Sequence, residues 1–305
     1  MAQDAADRLR GVRRGSWHAA AVTSTSSADA ARRPSGEGFE LRGETTAPLV
    51  WLRSLWASRR LTAVLARKDF LVRYRRASLG VLWAVGLPVL QAVVLAVVFS
   101  RIVRVPTDAP YWAFVFTGLV PAMFVLSAVT TASTSIVDGS SLSSKVYFPR
   151  AVLPLATVVA SLYGALVSLV LLMVAVVVAG EAGPELVLLV PGVALAVALT
   201  VGASLVGSAL HVTFRDTRYL LQALAAVWLY ATPIVYPLAL LPGVLRRVVE
   251  ANPATGVVEL FRAATVGADP GWGVSLAWSI VWTVALLALG VLLHCRGDRV
   301  FADRL

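Results

Sequence analysis

The chain is poor in charge, and what charge it has is kept out of six long stretches. Only 14% of its 305 residues are Asp, Glu, Lys or Arg, where a soluble domain carries about a quarter. The stretches 79–100, 111–135, 151–180, 186–212, 219–241 and 272–295 contain none of the four. Each is long enough as a helix to cross ~30 Å of hydrocarbon, so an integral membrane protein is indicated. The lack of ionisable groups in these runs argues against a proton- or ion-driven carrier, which places such groups within its spans. One cysteine, Cys295, excludes an intrachain disulfide and any multi-Cys metal site. The three histidines, His18, His211 and His294, lie far apart; His211 and His294 are read as interfacial residues at span ends. Two lysines are present, Lys68 and Lys145, and neither ends a Gly-rich phosphate-binding loop, so this chain is not expected to bind ATP itself. Asp138, Asp216, Asp298, Glu181, Glu185 and Glu250 are scattered, with no paired-carboxylate constellation for catalysis.

What is abundant is apolar: 58% of the residues are hydrophobic. The fold class expected is an all-α polytopic membrane protein with six transmembrane helices. Residues 1–57 are read as a disordered basic cytoplasmic tail and 58–305 as the transmembrane domain. Through about Pro48 the tail lacks apolar periodicity. Its six acids, from Asp4 to Glu44, do not suit a transit peptide, and it has no apolar core for a secretory signal.

Between Ser58 and Arg76, Leu61, Val64, Leu65, Leu71 and Val72 share an arc of a helical wheel, with Arg59, Arg67 and Arg73 off it. This predicts an amphipathic helix in the headgroup layer, its cations near anionic lipid. The net charge of +10 therefore points to a membrane surface rather than nucleic acid. With the amino terminus inside, 22 of the 27 Lys and Arg fall on the inner side and five (Arg101, Arg104, Arg246, Arg247, Arg262) on the outer, which puts both termini in the cytoplasm. Pro88, Pro121, Pro191, Pro233 and Pro237 mark expected kinks. The connection from Pro242 to Gly271 holds two short apolar segments around Asn252-Pro253 and predicts a re-entrant helical hairpin on the outer side.

The loop 136–150 ends in Lys145-Val146-Tyr147-Phe148-Pro149-Arg150. This string resembles the cytoplasmic coupling segment of the permease subunits of type-2 ABC exporters, most of all the branch that moves O-antigen, teichoic acid and related polysaccharides on lipid carriers. Arg67-Lys68-Asp69, Arg73-Tyr74-Arg75-Arg76, Leu79-Gly80, Phe214-Arg215-Asp216, Asn252-Pro253 and Phe301-Ala302-Asp303 resemble that family in the same order, over about Arg59 to Leu305. The resemblance implies a homodimer in the bacterial cytoplasmic membrane, with two copies of a partner ATPase that binds ATP and Mg, and a lipid-linked polysaccharide as cargo. Coupling to the ATPase falls to Lys145 through Arg150 and to Phe214, Arg215 and Asp216, with Tyr147 and Phe148 as exposed apolar anchors. Substrate access falls to Arg67, Lys68, Arg73, Arg75 and Arg76.

For the pathway, the polar and aromatic residues Gln91, Gln222, Trp228 and Tyr230 are the candidates. The first, second and fifth runs are expected to face the dimer axis, with Thr117, Ser127, Thr130 and Thr131 adding polar lining. Trp112 and Trp272 are read as membrane-interface anchors. A drug or lipid permease of the same fold, and a membrane-embedded glycan-modifying enzyme, are the other readings left open.

Overall fold

A computed structural model describes residues 47–75, 79–107, 109–143, 148–180, 183–267 and 273–297. These residues belong to one unit, Thr45–Leu305, and hold helices but no strand. In chain order the helices are α1 (Pro48–Ala57), α2 (Arg59–Tyr74), α3 (Trp83–Val97), α4 (Tyr111–Asp138), α5 (Ser140–Ser143), α6 (Val152–Val178), α7 (Leu189–Thr213), α8 (Thr217–Ala231), α9 (Gly243–Glu250), α10 (Thr255–Val266) and α11 (Val274–Gly297). Lys145, Val146, Tyr147, Arg76, Trp272 and the 301–303 string lie outside the described residues, as does the chain before Ala47.

Five helical segments are long and apolar enough to cross a membrane: Gly86–Val103, Tyr111–Asp138, Val152–Val178, Pro184–Thr213 and Val274–Gly297. The chain is a multi-pass, all-α membrane protein. The fifth apolar run behaves differently from the other five. Its helix α8 has 15 residues, ~22 Å long, and stops at Thr232 in extended backbone (φ −93°, ψ 136°). Pro233 is the cause, since the residue before a proline is pushed out of the α region and proline offers no amide hydrogen.

The centre of the bundle is α4. It is buried without a break from Ala113 to Ala122 and packs against α3, α6, α7, α8 and α10. Toward its start, Phe114, Val115, Phe116 and Leu119 meet Leu172, Val176, Ile234 and Val258. Further along, Phe124, Val125 and Ala128 meet Val158, Leu199, Val257 and Phe261. The first part of the second run is therefore packed into the bundle, while Ser127 and Thr131 further along it are exposed. Thr117 bonds Thr265 of α10 (Oγ1–Oγ1 3.0 Å), and Thr130 and Thr131 donate to their own helix, to Leu126 O at 2.8 Å and Ser127 O at 2.6 Å. A hydroxyl with no water at hand is satisfied this way.

At one end, α1 lies across the bundle within the segment expected to be tail. Its Trp51 is buried with Ala151, Leu205 and Cys295, with its ring 6.1 Å from that of His294. His211 and His294, in the last turns of α7 and α11, are both buried; His294 Nδ1 lies 3.0 Å from Gly290 O. Helix α2 packs on α6 through Leu65, Ala66 and Phe70 against Ala156, Ala160 and Tyr163, with Phe70 edge-on to Tyr163. Val64, Leu71 and Val72 stay exposed, so the apolar surface of α2 is divided between protein and an outward strip, which suits a helix lying in a membrane interface.

Between helices that already sit in an apolar medium, close approach of backbones supplies the packing energy. At Gly202 of α7 a Cβ would lie 2.8 Å from Leu287 N and 3.0 Å from Leu286 C, both backbone atoms of α11, and at Gly290 it would lie 2.7 Å from Leu205 Cβ. A Gly202→Val substitution should force α7 and α11 apart and lower the thermal unfolding midpoint of the solubilised protein, overpacking costing ~1–3 kcal/mol. Gly86→Ala, whose new Cβ would meet only Trp83 at 3.7 Å, should hold or raise the midpoint. Equal midpoints for the two variants would contradict the close α7–α11 contact.

Candidate functional site

Two loops leave the bundle at the same end, because Ile136 of α4 packs on Ala209 and Val212 of α7. One is the segment after α5. Its Phe148 is not the exposed anchor that the sequence suggested. It is buried with Val152 and Leu153 against Leu55, Leu61 and Leu65 of α1 and α2, because the apolar side of α2 passes directly over it. Pro149 and Arg150 are partly buried beside it. The other loop, Phe214-Arg215-Asp216, is exposed throughout, with Phe214 at 63%. An aromatic ring, a cation and an anion are thus held out together between α7 and α8.

Along α2, Arg67, Lys68, Arg73 and Arg75 are exposed. Asp69, between them, has its carboxyl raised above the usual range by burial, partly offset by the charges of Lys68 and Arg73. Arg73 and Tyr74 stand at the mouth of a cleft of ≈280 Å³ that runs between α3, α4 and α6.

Of the residues expected along a pathway, the structure brings two together. Gln91 of α3 and Tyr230 of α8 line one cavity of ≈500 Å³ with Leu87, Leu90, Val94 and Val235. Trp228 lies elsewhere, against Leu126, Val129, Thr130 and Pro253. Its indole N–H is committed to Asn252 Oδ1 at 2.8 Å, so only its ring face is available to a ligand. Gln222 is exposed on α8 and lines neither cavity.

The residue that sequence reasoning misplaced is Arg262, counted there as an outer-loop cation. It is 1% exposed, buried in the hairpin helix α10. Its guanidinium stacks 3.7 Å from the ring centre of Phe114 and pairs with Glu259 at 2.9 Å. It also donates to the carbonyls of Pro233 and, at 2.9 Å, Ile234. Gly118 makes room: a Cβ there would sit 3.2 Å from Nη2, two helical turns and ~10 Å into α4. Tyr111 donates its hydroxyl to the next carbonyl, Val235. Asn252 covers the other side of the break, its Nδ2 donating to Ala231 O at 3.1 Å and Thr232 Oγ1 at 3.0 Å. One signal could have flagged this: Glu259 and Arg262 are opposite charges three residues apart inside an otherwise apolar segment, the spacing of a helical pair.

Residues 60–266 match the family model described as ABC-2 type transporter. The O-antigen export system permease protein RfbA of Myxococcus xanthus is 33% identical over 191 residues, 62% of this chain and 72% of that protein. A protein of the same name from Klebsiella pneumoniae is 30% identical over 205 residues, 66% of this chain and 78% of its own. The polysialic acid transport protein KpsM of Escherichia coli is 27% identical over 234 residues, 74% of this chain and 89% of that protein.

Removing the Arg262 charge strands Glu259 and two carbonyls together. Arg262→Met should cost ~3–5 kcal/mol of stability, the cost of breaking a buried pair by deleting one partner. Arg262→Lys keeps the charge but not the forked donors, and should fall between. Chemical denaturation of the purified protein reads both; a Met variant as stable as the parent would refute the staple.

Proposed function

The chain belongs to the ABC-2 type transporter family, and from that premise we propose that it is the permease of an exporter that moves a lipid-linked cell-envelope polysaccharide across the cytoplasmic membrane. The observation that carries this is similarity to O-antigen permeases over 72–78% of their length. The energy source is a separate ATPase subunit, since the sequence has no Walker-type loop. The chain itself is a conduit rather than a catalyst and needs no cofactor.

The working unit is two copies of this chain with two ATPases. Helix α3 carries exposed Leu87, Leu90 and Val94 along the cavity that holds Gln91 and Tyr230, and α8 carries exposed Leu220, Leu224 and Val227, the last two along the cavity that holds Trp228. Facing copies across a two-fold axis double a lining that one chain supplies sparsely. Tyr230 offers a ring face to sugar C–H groups, and Gln91 offers donors and acceptors to hydroxyls. Both termini are cytoplasmic, as the Lys and Arg balance requires; burial of Arg262 only lowers the outer count. The loops at 148–150 and 214–216 then face the ATPase, and the basic side of α2 lies at the inner headgroups, near a carrier's diphosphate.

Accumulation tests the cargo. Depleting this protein should trap the lipid-linked glycan on the inner face, unreachable by externally added glycosidase; a glycan that stays accessible would sink the reading. A glycan altered in structure rather than location would favour the enzyme reading, and loss of drug efflux alone the drug-exporter reading.

Coupling has its own test. Phe214→Ala with Arg215→Ala should reduce ATPase co-purification by about tenfold or more, since one exposed aromatic anchor is worth ~1–3 kcal/mol at an interface. Thermal stability should be unchanged, because neither side chain is packed in this chain. Undiminished co-purification would remove this loop from the interface. Phe148→Ala should instead lower stability by ~3–5 kcal/mol, so its effect on coupling is read only alongside that loss.

A further inference from the structure

The cleft beneath Arg73 holds serine hydroxyls that the pathway does not use. It lies within a single chain, between α3, α4 and α6, and shares Leu87 and Gln91 with the cavity that holds Tyr230. Arg73 and Trp83 stand at its mouth, and Gln91, Ser127, Ser161 and Ser168 line it. From Trp83 to Gln91 is eight residues of α3, ~12 Å of depth.

The hydroxyls here are under-used. Elsewhere in the bundle the bonds from a hydroxyl to its own helix run from 2.6 Å at Thr131 and Ser133 to 3.4 Å at Thr213, and those of the cleft fall at the long end. In the cleft Ser127 reaches Phe124 O only at 3.3 Å, and Ser168 reaches Ala84 O and Gly164 O only at 3.4 Å. Ser161 is 6% exposed, and its Oγ has no partner among the described residues. A buried hydroxyl left this way costs ~1–3 kcal/mol, and Gln91, exposed on α3, lines the same cleft with two more donors. Arg73 at the mouth makes no hydrogen bond or salt bridge among the described residues. The cleft therefore offers a charged fork at its rim and several neutral donors below, inside walls that are otherwise apolar.

We propose that this cleft holds one glycerophospholipid as a resident ligand, its phosphate on Arg73 and its ester carbonyls on Ser161, Ser168 and Gln91. Arg suits the phosphate because its guanidinium donates two parallel hydrogen bonds. The esters suit the depth: they are neutral acceptors lying just below the phosphate, and they are what a row of hydroxyls lacks. A polyprenyl carrier has no oxygen below its phosphates and would leave these donors unpaired. The volume, ≈280 Å³, sits at the lower bound of ~300–1,000 Å³ for small-molecule sites and takes a headgroup and glycerol, with the acyl chains passing out over Leu87. The bound lipid would lie against Ala84, Leu87, Pro88 and Gln91 of α3, next to the cavity shared with Tyr230. The proposal rests on the membrane-interface reading of α2 and not on the identity of the cargo.

The test uses the whole permease–ATPase complex in phosphatidylcholine nanodiscs containing a photoreactive phosphatidylglycerol, without cargo or ATP, so its failure leaves the export reading standing. The expected result is one label per permease, mapped by peptide analysis to α3, α4 or α6 around Ser161. Arg73→Gln should cut labelling about tenfold, the loss of one charged donor to phosphate, and Ser161→Phe should block it by filling the cleft. Arg73 is at the surface, so its variant reads the proposal even where the Phe variant fails to fold. Labelling unchanged in Arg73→Gln, or mapped outside these helices, overturns the proposal. Competition by inorganic phosphate would make the site one for a free anion, and preferential labelling by a photoreactive polyprenyl diphosphate would give it to the cargo; either result overturns the phospholipid.

Discussion

Between Tyr230 and Val235 the chain leaves the helix inside the bundle, and six consecutive carbonyls lose the partners that a helix would give them. Each finds another. Tyr236 takes Tyr230, Asn252 takes Ala231, and the amide of Ile234 takes Thr232. Arg262 takes Pro233 and Ile234, and Tyr111 takes Val235. In a protein surrounded by hydrocarbon an unsatisfied carbonyl costs several kcal/mol, and irregular backbone survives only where protein shields and pairs it. The rest of the architecture is built to meet this demand.

That demand explains why α10 is drawn into the bundle rather than left at its surface. The guanidinium has to reach the break, so the helix that carries it packs against α4, α7 and α11. A buried cation needs a counter-charge and engaged donors; Glu259 and the two carbonyls take its terminal nitrogens and Phe114 covers its face, while its Nε has no partner among the described residues. Gly118 and Gly256 keep the backbones close. At Gly256 a Cβ would fall 2.7 Å from Ser275 O, and its amide donates to Ser279 Oγ at 3.0 Å. The hairpin is thus a fixed plug on α4, and the broken fifth run is anchored to it.

What is held less tightly is α3. A 3-10 turn at Gly80–Leu82 precedes it and a π-helical turn at Val98–Val103 follows it. Pro88 interrupts its hydrogen bonds, Ala92 is its one residue among the buried hydrophobics described, and Gln91 opens onto two adjoining clefts. A rigid α4–α10 core beside a sparsely packed first span is a division of labour suited to transport: one part keeps the seal, the other yields to a bulky substrate.

Much of this was legible in the amino-acid sequence. Uncharged runs of more than about 18 residues require helices in a membrane, since nothing else satisfies the backbone there. The amphipathic basic helix α2 and the hairpin around Asn252-Pro253 were equally readable, because period and proline placement are local properties. The strings around residues 67–76, 145–150 and 214–216 carried the family resemblance. Burial and partnership were not readable. Phe148 looks exposed in a polar loop until α2 is laid over it, and His294 looks open at a span end until Trp51 is laid beside it. Trp228 looks free to touch a ligand until Asn252 takes its N–H, and Arg262 counts as a loop cation until the break before Pro233 claims it. Each depends on a neighbour between 24 and 243 residues away in the chain. The sequence by itself determined the membrane class, the helices and the placement of charge, because these follow from the solvent and from local spacing. Which polar groups are consumed in holding the fold and which remain for a ligand was decided only by the tertiary structure, because a hydrogen bond between distant residues leaves no periodic trace.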